Sequence, residues 1–362
     1  MKSEGTAGRA AALPADSPIL SLSGTTGDDV AGVKRPDGKP WSCYHGGQGA
    51  QNHLSVEEIK RALASGSGTL WLDIDNRKPE EVALLTDVFG FHPLAVEDSL
   101  NPDSRVKIEE YDGYLILIVR TVDFIHETED PYDIKTVNLT CFLGANYLVT
   151  VHGEQSDSVR ATAELLGRKP ELAAAGAARL MHAVVDEAIN AYFPILDQLD
   201  LFMDSLEERV FATFDQGALR EIFSVKRLVL SLRRHLAPQR NVFAVMTNRP
   251  STLLSLDTQI YYRDIHDHVL RINDALETYR ELLSSTLDSY LTQVSNRLGT
   301  VTKALSAVAT VSIPFVVVSG MWGMNFDVIP LAHSRYGFWT LLAVQLGLGF
   351  FLLAVLRWRK LL

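Results

Sequence analysis

Positive charge is scarce in this chain. Its 362 residues carry 34 Lys and Arg against 44 Asp and Glu, a formal net charge of -10 at pH 7. So acidic a chain is a poor partner for nucleic acid and a better one for cations. Cysteine is scarcer still. Cys43 and Cys141 have no CxxC spacing and suggest no disulfide framework, which fits a reduced cytosolic setting for the soluble part. No phosphate loop, nucleophile elbow or zinc-ligand cluster occurs, so an enzyme reading has no catalytic constellation to rest on. No apolar run follows a basic start behind Met1, and no signal peptide is expected. Residues 1–40 are rich in Gly, Ala, Ser, Asp and Pro without any period, and read as a disordered arm.

The absence that organises the chain lies near its end. From Ala304 to Phe326 no residue carries a formal charge, and a second uncharged run goes from Tyr336 to Leu356. A helix rising 1.5 Å per residue needs roughly 20 such residues to cross the hydrocarbon core. Backbone polar groups in that core must be satisfied within the segment, so the two runs predict a helical hairpin through a bilayer. The spans are expected at residues 304–326 and 336–356, with an external loop at 327–335 and a basic tail at 357–362. Lys303 precedes the first span, and Arg357, Arg359 and Lys360 follow the second. The positive-inside rule then puts both termini in the cytoplasm.

Upstream the signals mix. Residues 41–177 read as an α/β domain. Ser55-Val56-Glu57-Glu58 is a capping box, and Pro79 and Pro93 each open a helix. Strand-like runs fall at Thr69 to Ile74, Tyr114 to Phe124, Lys135 to Leu143 and Tyr147 to His152, with a turn at Gly144-Ala145-Asn146 between the last two. Residues 178–303 read as wholly helical. One long helix is predicted from Ala178 to about Thr213 and another from Gly217 to about Asn248. The first carries Asp186, Glu187, Asp197, Asp200, Asp204, Glu207 and Glu208, a pattern that fits a solvated face. Then Ile265, Val269, Ile272, Leu276, Tyr279, Leu283, Leu287, Tyr290, Val294, Leu298, Val301 and Leu305 recur at steps of three or four. That stripe has the repeat of a straight α-helix and does not break where the membrane span begins. One helix from about Ser255 to beyond Gly320 follows, on the order of 100 Å long. A helix that long cannot bury its stripe within one small subunit.

The first span ends in Gly320-Met321-Trp322-Gly323-Met324-Asn325-Phe326. Here the sequence resembles the CorA family of divalent-cation channels, whose signature is a Gly-Met-Asn triplet closing the first of two C-terminal spans. Gly323, Met324 and Asn325 match it. Phe91-His92-Pro93-Leu94-Ala95-Val96-Glu97-Asp98, Tyr262-Arg263-Asp264-Ile265-His266-Asp267-His268 and Ser295-Asn296 also look like family segments. The resemblance runs from about Trp41 onward.

It implies an α+β membrane protein: a cytosolic α/β domain, a long helical stalk and two transmembrane helices, in a funnel-shaped homopentamer of the inner (plasma) membrane. The cargo implied is Mg2+, with Co2+ or Ni2+ as further cations. Gly323, Met324 and Asn325 would form the selectivity filter. Gly299, Thr302, Leu305, Ala309, Ile313 and Val316 would step along the pore, with Gly299 and Val316 standing where polar Asn and Thr are often found. Asp98 and Asp264 would bind regulatory magnesium, assisted by Glu97, Asp267 and His268, and the acids of the helical hairpin would attract cations. Two rivals stay open. One is zinc (Zn2+) transport of the ZntB type, against which Asp327 in the external loop counts, while His333 could contact a softer ion. The other is a membrane-anchored binding or signalling protein without a pore.

Overall fold

The computed structural model describes residues 40–47, 49–124, 134–153, 156–212, 216–249, 251–324, 330–331 and 334–359. All but the last residue of the arm expected at 1–40, and Asn325, Asp327 and His333, lie outside them. The described chain forms two compact units. The first comprises the described residues of Met1–Thr121, Val137–Ala188 and Val245–Arg263, and the second those of Val122–Thr136, Ile189–Ala244 and Asp264–Leu362.

The first unit is built on a seven-stranded sheet. Its strands are β1 (Trp41–Gly46), β2 (Gly49–Asn52), β3 (Thr69–Asp75), β4 (Lys107–Tyr111), β5 (Tyr114–Phe124), β6 (Ile134–Gly144) and β7 (Tyr147–His152), in the order β2-β1-β3-β7-β6-β5-β4. β3 pairs parallel with β7, and β6 and β7 form the hairpin expected around Ala145-Asn146. β3 is buried at all seven positions, as a strand covered on both faces must be. One face carries Leu70, Leu72, Ile74, Ile116, Ile118, Phe142, Val149 and Val151. Helices α1 (Val56–Ser65), α2 (Pro79–Asp87) and α3 (Pro93–Leu100) supply Ile59, Leu84, Leu85, Ala95 and Val96 to the same core. The capping box is present: the Glu58 carboxylate accepts from the Ser55 N–H at 2.7 Å. The other face holds a buried polar chain. Trp71 Nε1 donates to Thr150 Oγ1 (3.1 Å), which donates to Asp73 Oδ1 (2.7 Å), and His152 Nε2 lies 3.2 Å from Asp73 Oδ2. Helices α4 (Asp157–Arg168) and α5 (Glu171–Ala174) follow the sheet. Cys43 and Cys141 are free and buried. Burial pushes the Cys43 thiol up to about 11, and drives that of Cys141 up further with help from Asp73.

The remaining chain is helical: α6 (Ala177–Asn190), α7 (Phe193–Ala212), α8 (Gln216–Asn248), α9 (Leu256–Trp322) and α10 (Gly337–Trp358). The single helix expected from Ala178 to Thr213 is two. Pro194 has no N–H to give the Asn190 carbonyl, so the helix stops at Asn190 and restarts at Phe193. In the second unit α7 and α8 run antiparallel, held by Arg209–Glu221 (2.5 Å) and by Gln239 Nε2 to Tyr192 Oη (3.2 Å). Both lie along α9. Tyr279 Oη donates to Asp200 Oδ1 at 2.7 Å, and Arg233 pairs with Glu277 at 2.7 Å. The periodic stripe does become one helix: α9 runs 67 residues without a break, through Pro314.

Candidate ion pathway and cation sites

The C-terminal third of α9 and all of α10 are long and apolar enough to cross a membrane, with mean hydropathies of 1.9 and 2.1 over 18 residues. Only 6% and 11% of those windows are buried within the chain. The core helix of a soluble protein would be mostly buried. Trp339 and Trp358 stand exposed at the two ends of α10, about 28 Å apart along a helix axis, the spacing of interfacial aromatic belts across a bilayer.

α10 packs on one side of α9. Gln345 is buried and donates to Ser319 Oγ (3.1 Å) and, at the limit, to the Phe315 carbonyl (3.5 Å). At Gly349 the two helices approach so closely that an added methyl would sit 2.6 Å from Phe315 Cζ. Half-buried Val311, Pro314, Phe315, Val318 and Trp322 trace that side. At 100° per residue, the expected pore residues fall on the opposite side. Leu305, Ile313 and Val316 are 69%, 59% and 70% exposed, Gly299 and Thr302 are also exposed, and Ala309 is intermediate. The chain therefore leaves that line uncovered by its own second span.

The helix ends where the triplet begins. The Gly323 N–H is shared between the Ser319 (3.1 Å) and Gly320 (3.2 Å) carbonyls, and Met324 N–H reaches back only to Met321 (3.3 Å). This tightening of the last turn leaves terminal carbonyls outside the i→i−4 ladder, at the partly negative end of the helix dipole. Gly323 and Met324 are exposed.

The two proposed sensor acids belong to different units. In the first, His92 caps α3 through Nδ1, which accepts from Leu94 N–H at 3.2 Å, and Pro93 sets the first turn. Phe91 stacks on Phe142 with ring centroids 4.2 Å apart, and Ala95 and Val96 point into the core. That anchoring turns Leu94, Glu97 and Asp98 outward. Asp98 is not bare: Lys107 Nζ donates to its Oδ2 at 2.7 Å and pairs with Glu109 at 2.8 Å. Burial pulls the Lys107 ammonium down, but its bonds to Asp98 and Glu109 outweigh this and leave its pKa raised. Sequence reasoning missed Lys107, because nothing local ties a strand residue to a helix acid nine positions back. In the second unit the Asp264 side chain is 70% exposed, with His268 Nε2 at 4.0 Å one turn on. His268 sits edge-on to Phe193 at 5.5 Å, and Asp267 is exposed.

A two-span membrane transport protein with a large α/β domain is the class that these features define. The family described as CorA-like Mg2+ transporter protein matches residues 66–359, and the chain belongs to it: a divalent cation transporter, not an enzyme. The chain is 28% identical over 295 residues to the cobalt/magnesium transport protein CorA of Thermotoga maritima, covering 80% of this chain and 82% of that one. Its fold matches the complete structure of the CorA magnesium transporter from Methanocaldococcus jannaschii with a TM-score of 0.77, at 20% identity, covering 89% of this chain and 98% of that one. It also matches the ZntB cytoplasmic domain from Vibrio parahaemolyticus with a TM-score of 0.56, at 16% identity, covering 72% of this chain and 99% of that one.

Proposed function

We propose that this chain forms a magnesium-conducting channel in the inner (plasma) membrane, assembled as a homopentamer around its α9 helices, with both termini in the cytoplasm. The observation that carries the reading is the line Leu305, Ile313 and Val316, which α10 leaves exposed and which leads to the opened turn at Gly323. Magnesium dehydrates reluctantly and keeps its waters. Its filter needs acceptors for the hydrogens of bound water. Asn325 supplies an amide oxygen, and Gly323 and Met324 supply carbonyls at the negative end of the helix dipole. Rings of Leu305 and Ile313 below would gate by dewetting. Asp327 in the loop would draw cations to the mouth. Co2+ and Ni2+ are further candidate cargo.

Asp98 and Asp264 fit a regulatory magnesium by chemistry, being hard carboxylates, Asp264 open to solvent and Asp98 partly exposed beside Lys107. Glu97, Asp267 and His268 stand beside them. Bound ion would bridge the acids of neighbouring copies and favour the closed population; its loss would leave repelling carboxylates. Zinc is the second reading. The likeness to the ZntB cytoplasmic domain is one of fold and does not separate the two cations.

Uptake by proteoliposomes tests this, with magnesium, zinc, cobalt and nickel each supplied alone. Magnesium is expected to enter fastest, and Asn325→Leu to lose most of the flux while still assembling. Zinc-only uptake would overturn the cargo, and an uptake indifferent to Asn325→Leu would overturn the filter.

A further inference from the structure

The α7–α8 hairpin is covered on the side that meets α9 and bare on its outer side. On α8 the bare side repeats every seven residues. Arg220, Arg227 and Arg234 alternate with Phe223 and Leu230, which are 50% and 43% exposed. No acid interrupts this stripe. On α7 the bare side has the opposite charge: Asp197, Leu201, Asp204 and Glu208, at steps of four, three and four, with Leu201 57% exposed. Asp197, Asp204, Arg227 and Arg234 make no ion pair among the described residues. Apolar side chains seven residues apart on α8, and one apolar side chain between acids on α7, each flanked by charge of one sign, suit faces that pack on another helix. Scattered surface leucines need no explanation; two seams of matched spacing and opposite charge in one chain do.

We infer that the basic α8 face of one copy docks on the acidic α7 face of the next. The inference rests on the reading that copies self-associate around α9. A closed ring requires a heterologous contact, made by two different patches on each subunit, and this chain carries two that complement each other. Height fixes the register. Within one chain Arg209 meets Glu221 and Tyr192 meets Gln239, so descending α7 keeps level with ascending α8. By that level Asp204 stands at Arg227, Leu201 at Leu230 and Asp197 at Arg234. A rotation about an axis along the stalk preserves height. The same three pairs therefore face each other between neighbours: two opposite charges around one apolar contact. The acids on α7 thus act first as an adhesive between copies.

Copies carrying Leu201→Cys and copies carrying Leu230→Cys, with different tags, are to be co-expressed full-length and oxidised in membranes. The native cysteines are buried and need not be removed. A disulfide joins Cα atoms only within roughly 7 Å. A doubly tagged dimer is expected at least about tenfold above either variant alone. No such dimer, or equal linking by Leu201→Cys alone, overturns the proposal; a seam occupied by another protein or by lipid would give the first result. Charge gives an independent reading. Arg227→Glu and Asp204→Lys are each expected to raise the concentration at which the assembly dissociates by about tenfold, and the double variant to restore it. Additive loss in the double variant counts against the pairing. Ion uptake by the unmutated protein, measured in parallel, separates failure of this contact from failure of the transport reading.

Discussion

Two stretches of α9 carry the same pattern and meet different fates. Between residues 265 and 290 the stripe is mostly buried: Ile265, Val269, Ile272, Leu276 and Leu283 are fully covered, Tyr279 and Tyr290 nearly so, and Leu287 is half-buried. Farther on, Leu298, Val301 and Leu305 keep the spacing and are 63%, 59% and 69% exposed. The difference lies in the neighbours. α7 and α8 run beside the first stretch, where Tyr279 bonds to Asp200 and Arg233 pairs with Glu277. Periodicity thus tells which face of a helix will be covered, and nothing about what will cover it. The first stretch is satisfied by its own chain; the second is left uncovered by it.

The largest effect that could break this contrast is a cavity. Leu276→Ala removes a fully buried side chain and is expected to destabilise the subunit by about 3 kcal/mol. Leu298→Ala is expected to stay within about 0.5 kcal/mol of the parent in subunit stability, yet to loosen the assembly. Thermal unfolding followed by circular dichroism reads the first effect, and oligomer size on dilution reads the second. Equal losses of subunit stability would mean that the two stretches do not differ as described.

The same contrast marks how far the sequence was legible. The capping box at Ser55–Glu58, the helices opened by Pro79 and Pro93, the β6–β7 turn and the unbroken α9 stripe are local signals, and all four appear in the structure. β1, β2 and β4 escaped notice. β2 is four exposed residues and β4 has no buried position, so neither carries an alternation to read. Pro194 marks the break between α6 and α7, but the apolar period continues across it and hides it. The Lys107 bond to Asp98 depends on strand β4 coming beside α3, which no spacing encodes. Asn325, proposed as the filter residue, was legible only through resemblance.

A middle-sized effect sharpens the contrast from the polar side. Tyr279 belongs to the covered stretch, and its hydroxyl donates to Asp200 Oδ1 at 2.7 Å with the Leu196 carbonyl at 3.3 Å. Tyr279→Phe should cost about 1.5 kcal/mol, the lower end for a hydrogen bond to a charged acceptor, because the bond is only part-buried. It should also change the alkaline limb. Burial, then the Asp200 carboxylate, raises the Tyr279 pKa above its ordinary value of 10.0. A raised pKa in the folded state gives stability that is complete below about pH 10 and lost as pH climbs toward the folded value. Stability of the parent is therefore expected to fall above pH 10, and that fall to be shallower in Tyr279→Phe. Parallel pH curves for the two proteins would assign the alkaline loss elsewhere.

The smallest effect is expected at the edge of the covered stretch, where charge competes with the apolar stripe as the cause of packing. Arg233 and Glu277 meet at 2.7 Å, but their side chains are 43% and 35% exposed. Water screens such a pair, and ordering two long side chains offsets much of the attraction. Arg280 also bonds to Glu277, so removing Arg233 does not leave the carboxylate alone. Arg233→Gln should therefore cost no more than about 0.5 kcal/mol, and should narrow further as salt is added. Unfolding midpoints of parent and variant at low and high salt measure it. A loss comparable to that of Leu276→Ala would mean that the hairpin is pinned to α9 by its charges. The division of α9 into a self-covered and an uncovered stretch would then follow from where the charges lie, and not from where the apolar neighbours end.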